Sequence, residues 1–157
     1  MGDFSHLNRT GESTMVDVSG KSPTKRSATV RGVVRISAAC AAKLNADATR
    51  EIVRTARIAG VMAAKKTSDL IPLCHQVPLA GVDMTIEFDA GERVFAIEAK
   101  TQTDSVTGVE MEAFCAASVA GVTVYDMIKA VDPAATVGPF SLTEKLGGKN
   151  GHWKPES

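Results

Sequence analysis

An alternating apolar hairpin from Val82 to Thr101, a helix-period segment on either side of it, and Val-rich stretches toward both ends predict an α+β fold. The order strand, two helices, hairpin, helix, strand is that of a ferredoxin-like fold, an antiparallel sheet with helices packed on one face. Residues 1–14 are polar and rich in Gly, Asn and Ser, which predicts a flexible tail. Ala28 to Ile36 reads as the first strand, and Ser37 can cap a short helix through Leu44. From Thr49 to Lys66 the pattern is helical. Ile52, Ala56, Ala59 and Ala63 form one stripe of mostly small residues, so another element can pack closely on it. Val82, Met84, Ile86 and Phe88 alternate with polar residues as a half-buried strand. Asp89 to Glu92 turns the chain, and Arg93 to Thr101 returns. Thr107-Gly108-Val109-Glu110 has the form of a capping box. It opens a long helix to about Val131, which Asp132-Pro133 stops. Val137 to Leu146 reads as the last strand, and Pro139 suggests an edge position.

No linker or internal repeat divides the chain, so residues 15–146 read as one domain, followed by a flexible Gly-rich tail over residues 147–157. A four-stranded sheet with helices on one face leaves the other face bare, and a homo-oligomer is expected to cover it.

The 157 residues suit one domain with a real core. Lys plus Arg and Asp plus Glu both number 18, so no overall field draws in nucleic acid or an anionic membrane. Aromatics at 4% argue against a platform for stacking bases. Cys40, Cys74 and Cys115 are scattered, with no CxxC pair, which argues against a disulfide framework or a structural zinc site. With no signal peptide and no uninterrupted apolar run of membrane length, the expected location is the cytoplasm.

The sequence carries no P-loop, no GxGxxG after a strand and no HExxH. The candidates are therefore single polar residues in apolar surroundings. Leu73-Cys74-His75 lies between Pro72 and Pro78, which stiffen the backbone around an imidazole able to move protons or meet a phosphate. A satisfied structural histidine is the alternative, and Cys74 reads as a small buried residue rather than a nucleophile. Lys65 and Lys66 end the Ala-rich helix, either as complements to its dipole or as a phosphate clamp. On the long helix, Glu110 is the partner expected of Thr107 in the capping box, whereas Glu112 has no such explanation. Asp126 and Lys129 are spaced to pair. Their neighbours Val122, Val124, Tyr125, Met127 and Ile128 are apolar, so a partly buried pair is expected there, with an ordinary surface pair as the alternative.

Glu112 and Asp126 are fourteen residues apart, nearly four whole helical turns, so they point to the same side but lie roughly 21 Å apart along the axis. One continuous helix cannot bring both to one small substrate. Two antiparallel copies can, which predicts a site shared across a two-fold interface.

Several segments in order resemble a known family: Met15-Val16-Asp17-Val18-Ser19, Thr55-Ala56-Arg57-Ile58-Ala59-Gly60, Ala63-Ala64-Lys65-Lys66-Thr67, Asp69-Leu70-Ile71-Pro72-Leu73-Cys74-His75, Gly108-Val109-Glu110-Met111-Glu112-Ala113, Tyr125-Asp126-Met127 and Lys129-Ala130-Val131. Together they resemble the molybdenum-cofactor biosynthesis protein C family, the cyclic pyranopterin monophosphate synthases, from Met15 to about Gly151. The resemblance implies a ferredoxin-like fold and a hexamer built as a trimer of dimers. It implies a lyase that turns 3′,8-cyclo-7,8-dihydro-GTP into cyclic pyranopterin monophosphate and diphosphate. By matching motif it implies Asp126 and Lys129 as a catalytic pair, with Lys65 and His75 in the same site. Leu73, Cys74 and His75 form one substrate-contacting segment, and Met111 with Glu112 another, beside Glu110. No redox cofactor or resident metal is implied, and Mg2+ could accompany the phosphates.

The chain departs from the pattern at three places. Thr49-Arg50-Glu51 stands where members usually carry Lys-Gly-Asp, Ser68 where an aromatic is common, and Gln76-Val77 where Pro-Leu follows the histidine. Thr49 can cap the helix but carries no charge, so Arg50 is expected to supply the missing cation to a phosphate. The competing reading is a paralogue that keeps the fold and binds a nucleotide or pterin without turnover.

Overall fold

The computed structural model describes residues 4–148 and 151–156. Its elements are β1 (Thr24–Arg35), α1 (Ala38–Ala41), α2 (Ala46–Ala64), α3 (Thr67–Leu70), β2 (Leu79–Asp89), β3 (Val94–Ser105), α4 (Glu110–Ile128), β4 (Thr136–Leu146) and β5 (His152–Trp153). The strands form one antiparallel sheet in the order β2-β3-β1-β4-β5. The first four strands and the two long helices reproduce the ferredoxin-like pattern, with α2 and α4 on one face.

Period-two alternation decides which strand residues meet the helices. Ala28, Val30 and Val34 of β1, Met84 and Ile86 of β2, and Phe95, Ile97 and Ala99 of β3 are all buried in one cluster with the helices. Against them lie Ile52 and Ala56 of α2 and Ala113, Ala116, Ala117, Ala120 and Val124 of α4. The helices approach closely because the contact residues are small. A Cβ at Gly60 would overlap the Met84 side chain and lie 2.8 Å from the Ala116 carbonyl oxygen. The buried stripe of α2 is thus Ile52, Ala56, Gly60, Ala63 and Ala64, with Gly60 at the tightest point instead of Ala59. Phe140 of β4 fills the space over Gly32 and Gly121.

Helix α4 has the length and composition of a membrane span. Its apolar residues are explained by its place at the centre of the core, packed against both α2 and the sheet. The opposite sheet face is polar. Arg31 of β1 pairs with Glu98 directly across on β3, and Arg35, Thr85, Glu87 and Ser141 share this face.

Four local expectations are corrected. Ser37 does cap α1, its Oγ accepting from the Cys40 N–H at 3.2 Å, but the helix ends at Ala41. Helix α2 begins at Ala46 with Asn45 as its cap, so Thr49 lies inside the helix and caps nothing. The capping box at Thr107 does not form, because Val109 takes the cap position and no side chain caps there. Helix α4 is instead anchored from the sheet, by the Thr101 hydroxyl donating to the Val109 carbonyl at 2.8 Å. The sheet also has five strands: Trp153 and His152 pair with Lys145 and Leu146. This short strand covers one end of β4 and leaves the edge around Pro139 open.

Asp132 does more than stop α4. It is buried, and its carboxylate accepts the Ser37 N–H at 2.6 Å, tying the end of α4 to the end of β1. Near the start of the chain, residues 6–14 form a small hairpin: the Thr14 N–H donates to the His6 carbonyl, and Leu7 bridges to Ser13. Residues 1–3 and the 149, 150 and 157 positions of the expected tails lie outside the described residues.

Candidate active site

The stretch from Ile71 to Pro78 joins α3 to β2, and it is placed from both sides. The Ile71 N–H donates to the Thr67 carbonyl, and the Thr103 hydroxyl of β3 donates to the Pro78 carbonyl at 2.6 Å. Arg26 of β1 holds the loop between β3 and α4, donating to the Ser105 and Val106 carbonyls at 3.0 and 3.1 Å. The loop before β2 and the start of α4 are therefore fixed side by side by residues of the central sheet.

Between them lies a cavity of about 840 Å3. Leu73, Cys74, His75, Glu110 and Met111 line it, so five of the residues singled out in the sequence are brought together. Glu112 lies just behind this wall, 3% exposed. The Cys74 thiol faces its Oε1 at 4.0 Å, while its Oε2 is buried with no partner. Burial pushes the Glu112 carboxyl above the usual carboxylate range, with Glu110 adding to the effect. Burial likewise pushes the Cys74 thiol up to about 11, with Glu112 as the next cause. Cys74 is thus a neutral thiol near pH 7, in line with its reading as a non-nucleophile.

Glu110 serves a different end from the one expected. Freed from any capping box, it crosses to Lys145 of β4 at 3.1 Å, both side chains 30% exposed. This half-buried pair links α4 to the sheet beside the cavity that Glu110 lines. Lys145 was not foreseen, because nothing in the sequence of β4 marks which lysine meets the start of α4.

The remaining candidates stand elsewhere. Asp126 and Lys129 pair at 2.6 Å at the far end of α4, with side chains 66% and 57% exposed, so the expected partial burial is not met within one chain. The hydrogen bond that the Lys129 amine donates to the Asp126 carboxylate holds the amine above its ordinary range. Lys65 caps the end of α2 and is exposed, while Lys66 pairs with Asp69 at 3.4 Å. Arg50 is exposed on the first turns of α2 and pairs with Asp47. Helix α4 is continuous, so Glu112 and Asp126 remain at opposite ends of it.

The cavity also has a wall that the sequence reading passed over. Ser5, His6, Ser13, Val16, Val18 and Lys21 close it from the N-terminal side. Asn8 and Gly11 were the available signal, since Asn followed by Gly at this spacing marks a built turn rather than a loose tail.

Residues 15–148 match the MoaC family. A Mycobacterium tuberculosis protein named cyclic pyranopterin monophosphate synthase 2 is 46% identical to this chain, covering 97% of it and 91% of the relative. The Geobacillus kaustophilus cyclic pyranopterin monophosphate synthase is 44% identical, over 98% of both chains. The Bacillus subtilis enzyme of that name is 42% identical, over 99% of this chain and 94% of its own length. With the family match spanning nearly the whole chain and relatives this similar end to end, the chain belongs to the MoaC family.

Proposed function

We propose that this chain is a lyase of molybdenum-cofactor biosynthesis that converts (8S)-3′,8-cyclo-7,8-dihydroguanosine 5′-triphosphate to cyclic pyranopterin monophosphate and diphosphate. The observation that carries this reading is the end-to-end match to proteins named for that product. The purine ring must be opened and rebuilt as a pterin, which takes repeated proton transfers. A sugar hydroxyl must then attack the inner phosphorus as diphosphate leaves.

In this reading Asp126 and Lys129 move protons, aided by Lys65 and His75. Leu73, Cys74, His75, Met111, Glu112 and Glu110 position the ring system and ribose. Arg50 replaces the family's lysine as a phosphate ligand, for which a permanent guanidinium charge suffices. Magnesium would arrive with the triphosphate rather than in a site of its own.

One chain leaves these groups apart, so we assign the site to an interface between two antiparallel α4 helices within a cytoplasmic hexamer built as a trimer of dimers. One feature supports a covered interface at the Asp126 end. Val122, Met127 and Val131 are 56%, 41% and 44% exposed near the ion pair, an apolar rim that a second copy would bury. The test is direct: pure protein is incubated with the cyclised nucleotide, and cyclic pyranopterin monophosphate and diphosphate are quantified. One equivalent of each per substrate is expected. No product above the protein-free control would overturn the reading.

A further inference from the structure

The N-terminal hairpin is built as a unit and attached lightly. The Asn8 side chain closes its turn, accepting from the Thr10 and Glu12 N–H groups at 2.9 Å each and from the Thr10 hydroxyl at 2.7 Å. The Asn8 N–H donates to the Glu12 carbonyl and the Thr14 N–H to the His6 carbonyl, both at 2.9 Å. The His6 ring nitrogen Nδ1 meets the Thr14 carbonyl at 3.3 Å, which fixes the ring relative to the turn.

Among the described residues, the hydrogen bonds made by residues 4–21 all stay within the segment. It rests on the cavity through side chains such as Val16 and Val18. Swinging it aside breaks no hydrogen bond to the body, while its internal bonds keep its shape. The Asp17 carboxyl is held below its ordinary range by the Ser19 N–H and hydroxyl, with a smaller contribution from His75.

The charges that line the cavity are unequal. Glu110 is already paired with Lys145, whereas Lys21 and the His6 imidazole on the hairpin side and the His75 imidazole on the loop side face the cavity. A cavity so lined, with one wall free to lift, suits a ligand with a phosphate tail.

We propose that residues 5–21 form a strap that closes over the bound nucleotide, and that His6, with Lys21 at the strap's other end, contacts the substrate's phosphates. This rests on the functional reading above for the identity of the nucleotide. His6 is a binding residue here, and Asn8 is a positioning residue that acts through the turn.

The test compares the full-length chain with His6→Ala, Lys21→Ala and Asn8→Ala. Calorimetry with GTP and with guanosine is combined with turnover of the cyclised nucleotide and amide hydrogen exchange. His6→Ala and Lys21→Ala are each expected to weaken GTP binding about tenfold and raise KM, leaving guanosine binding and thermal midpoint unchanged. The amides of Thr10, Glu12 and Thr14 should gain protection when GTP binds, and Asn8→Ala should abolish that gain. A wild-type chain that binds GTP with unchanged strap protection, and whose His6→Ala form binds GTP normally, would overturn the proposal. No GTP binding by the wild type would overturn it too. If the wild type makes no product but GTP binding still depends on His6 and the strap, the functional reading falls and the strap stands.

Discussion

The first turn of α4 places Glu112 in the interior, 3% exposed and in reach of the Cys74 thiol, whereas the last turn places Asp126 in the open with Lys129 as its partner. Both are carboxylates on one face of one helix. At the first end the chain finishes the environment itself: the loop before β2 packs over Glu112, and burial favours its protonated form over the helix dipole's preference for charge. At the second end the pair stands among exposed apolar residues, and the proposal of a shared site leaves its environment to a second copy. The difference teaches that one helix can bury a carboxylate at one end and leave a carboxylate of the same face solvated at the other, according to what packs over each. Solvated, the Asp126–Lys129 pair is an ordinary surface contact.

The largest expected effect lies at the exposed end. Asp126→Asn should lower turnover by about 100-fold or more while the oligomer and its thermal midpoint stay as they are. Near-normal turnover by the pure variant would remove Asp126 from the site and leave the two ends of α4 unrelated. The next effect joins the ends. Asp126→Ala and Glu112→Ala chains, each inactive alone, are mixed under conditions of subunit exchange. Half of the dimers formed are mixed, and one of their two sites receives both intact groups, so about a quarter of wild-type activity should return. Freely exchanged oligomers that stay inactive would place each site within one chain.

A smaller effect concerns the buried end alone. The raised pKa of Glu112 means that the folded chain holds a proton which the unfolded chain releases near pH 4.5. The stability this gives is full at low pH and is lost as pH rises from 4.5 through the folded value. Glu112→Gln removes the charge that must be buried at neutral pH. Without ligand, its thermal midpoint at pH 7 should rise by about 3 °C, the change that roughly 1 kcal/mol gives a chain of this size. The gain should shrink as pH is lowered to 4.5. A lower midpoint for the variant at pH 7 would mean that the carboxylate is well compensated where it lies. The smallest effect is kinetic. Iodoacetamide at pH 7.5 should label Cys74 more slowly than free cysteine, and Glu112→Gln should speed labelling by roughly two- to threefold. Mass mapping separates Cys74 from the buried Cys40 and Cys115. Labelling at the rate of a free thiol would contradict the closeness of Glu112.

The two ends of α4 also mark what could be read without coordinates. Helical spacing alone put Glu112 and Asp126 on one face and too far apart for one small substrate, and the continuous helix from Glu110 to Ile128 agrees. No capping box forms, although Thr107 and Glu110 have the right letters at the right spacing. Their neighbours in space decided otherwise: Lys145 takes Glu110, and Thr101 holds the helix start. The hairpin over residues 6–14 is not legible in the sequence for a related reason. A short polar segment has no apolar periodicity, and its hydrogen bonds run through side chains such as Asn8 that composition cannot distinguish from solvated ones.

Sequence by itself determined the ferredoxin-like layering, the burial of Ile52, Ala56, Met84 and Ile86, and the placing of Leu73, Cys74 and His75 on one stiffened loop. Those follow from periods of two and 3.6 residues and from prolines, which act locally along the chain. Only the tertiary structure decided that Glu112 is buried, that Glu110 meets Lys145 across 35 positions, and that His6 and Lys21 wall the same cavity as His75. Each of these depends on which segments far apart in sequence are packed together, and it is that packing, not residue type, that sets how much water and which partner a charged group keeps.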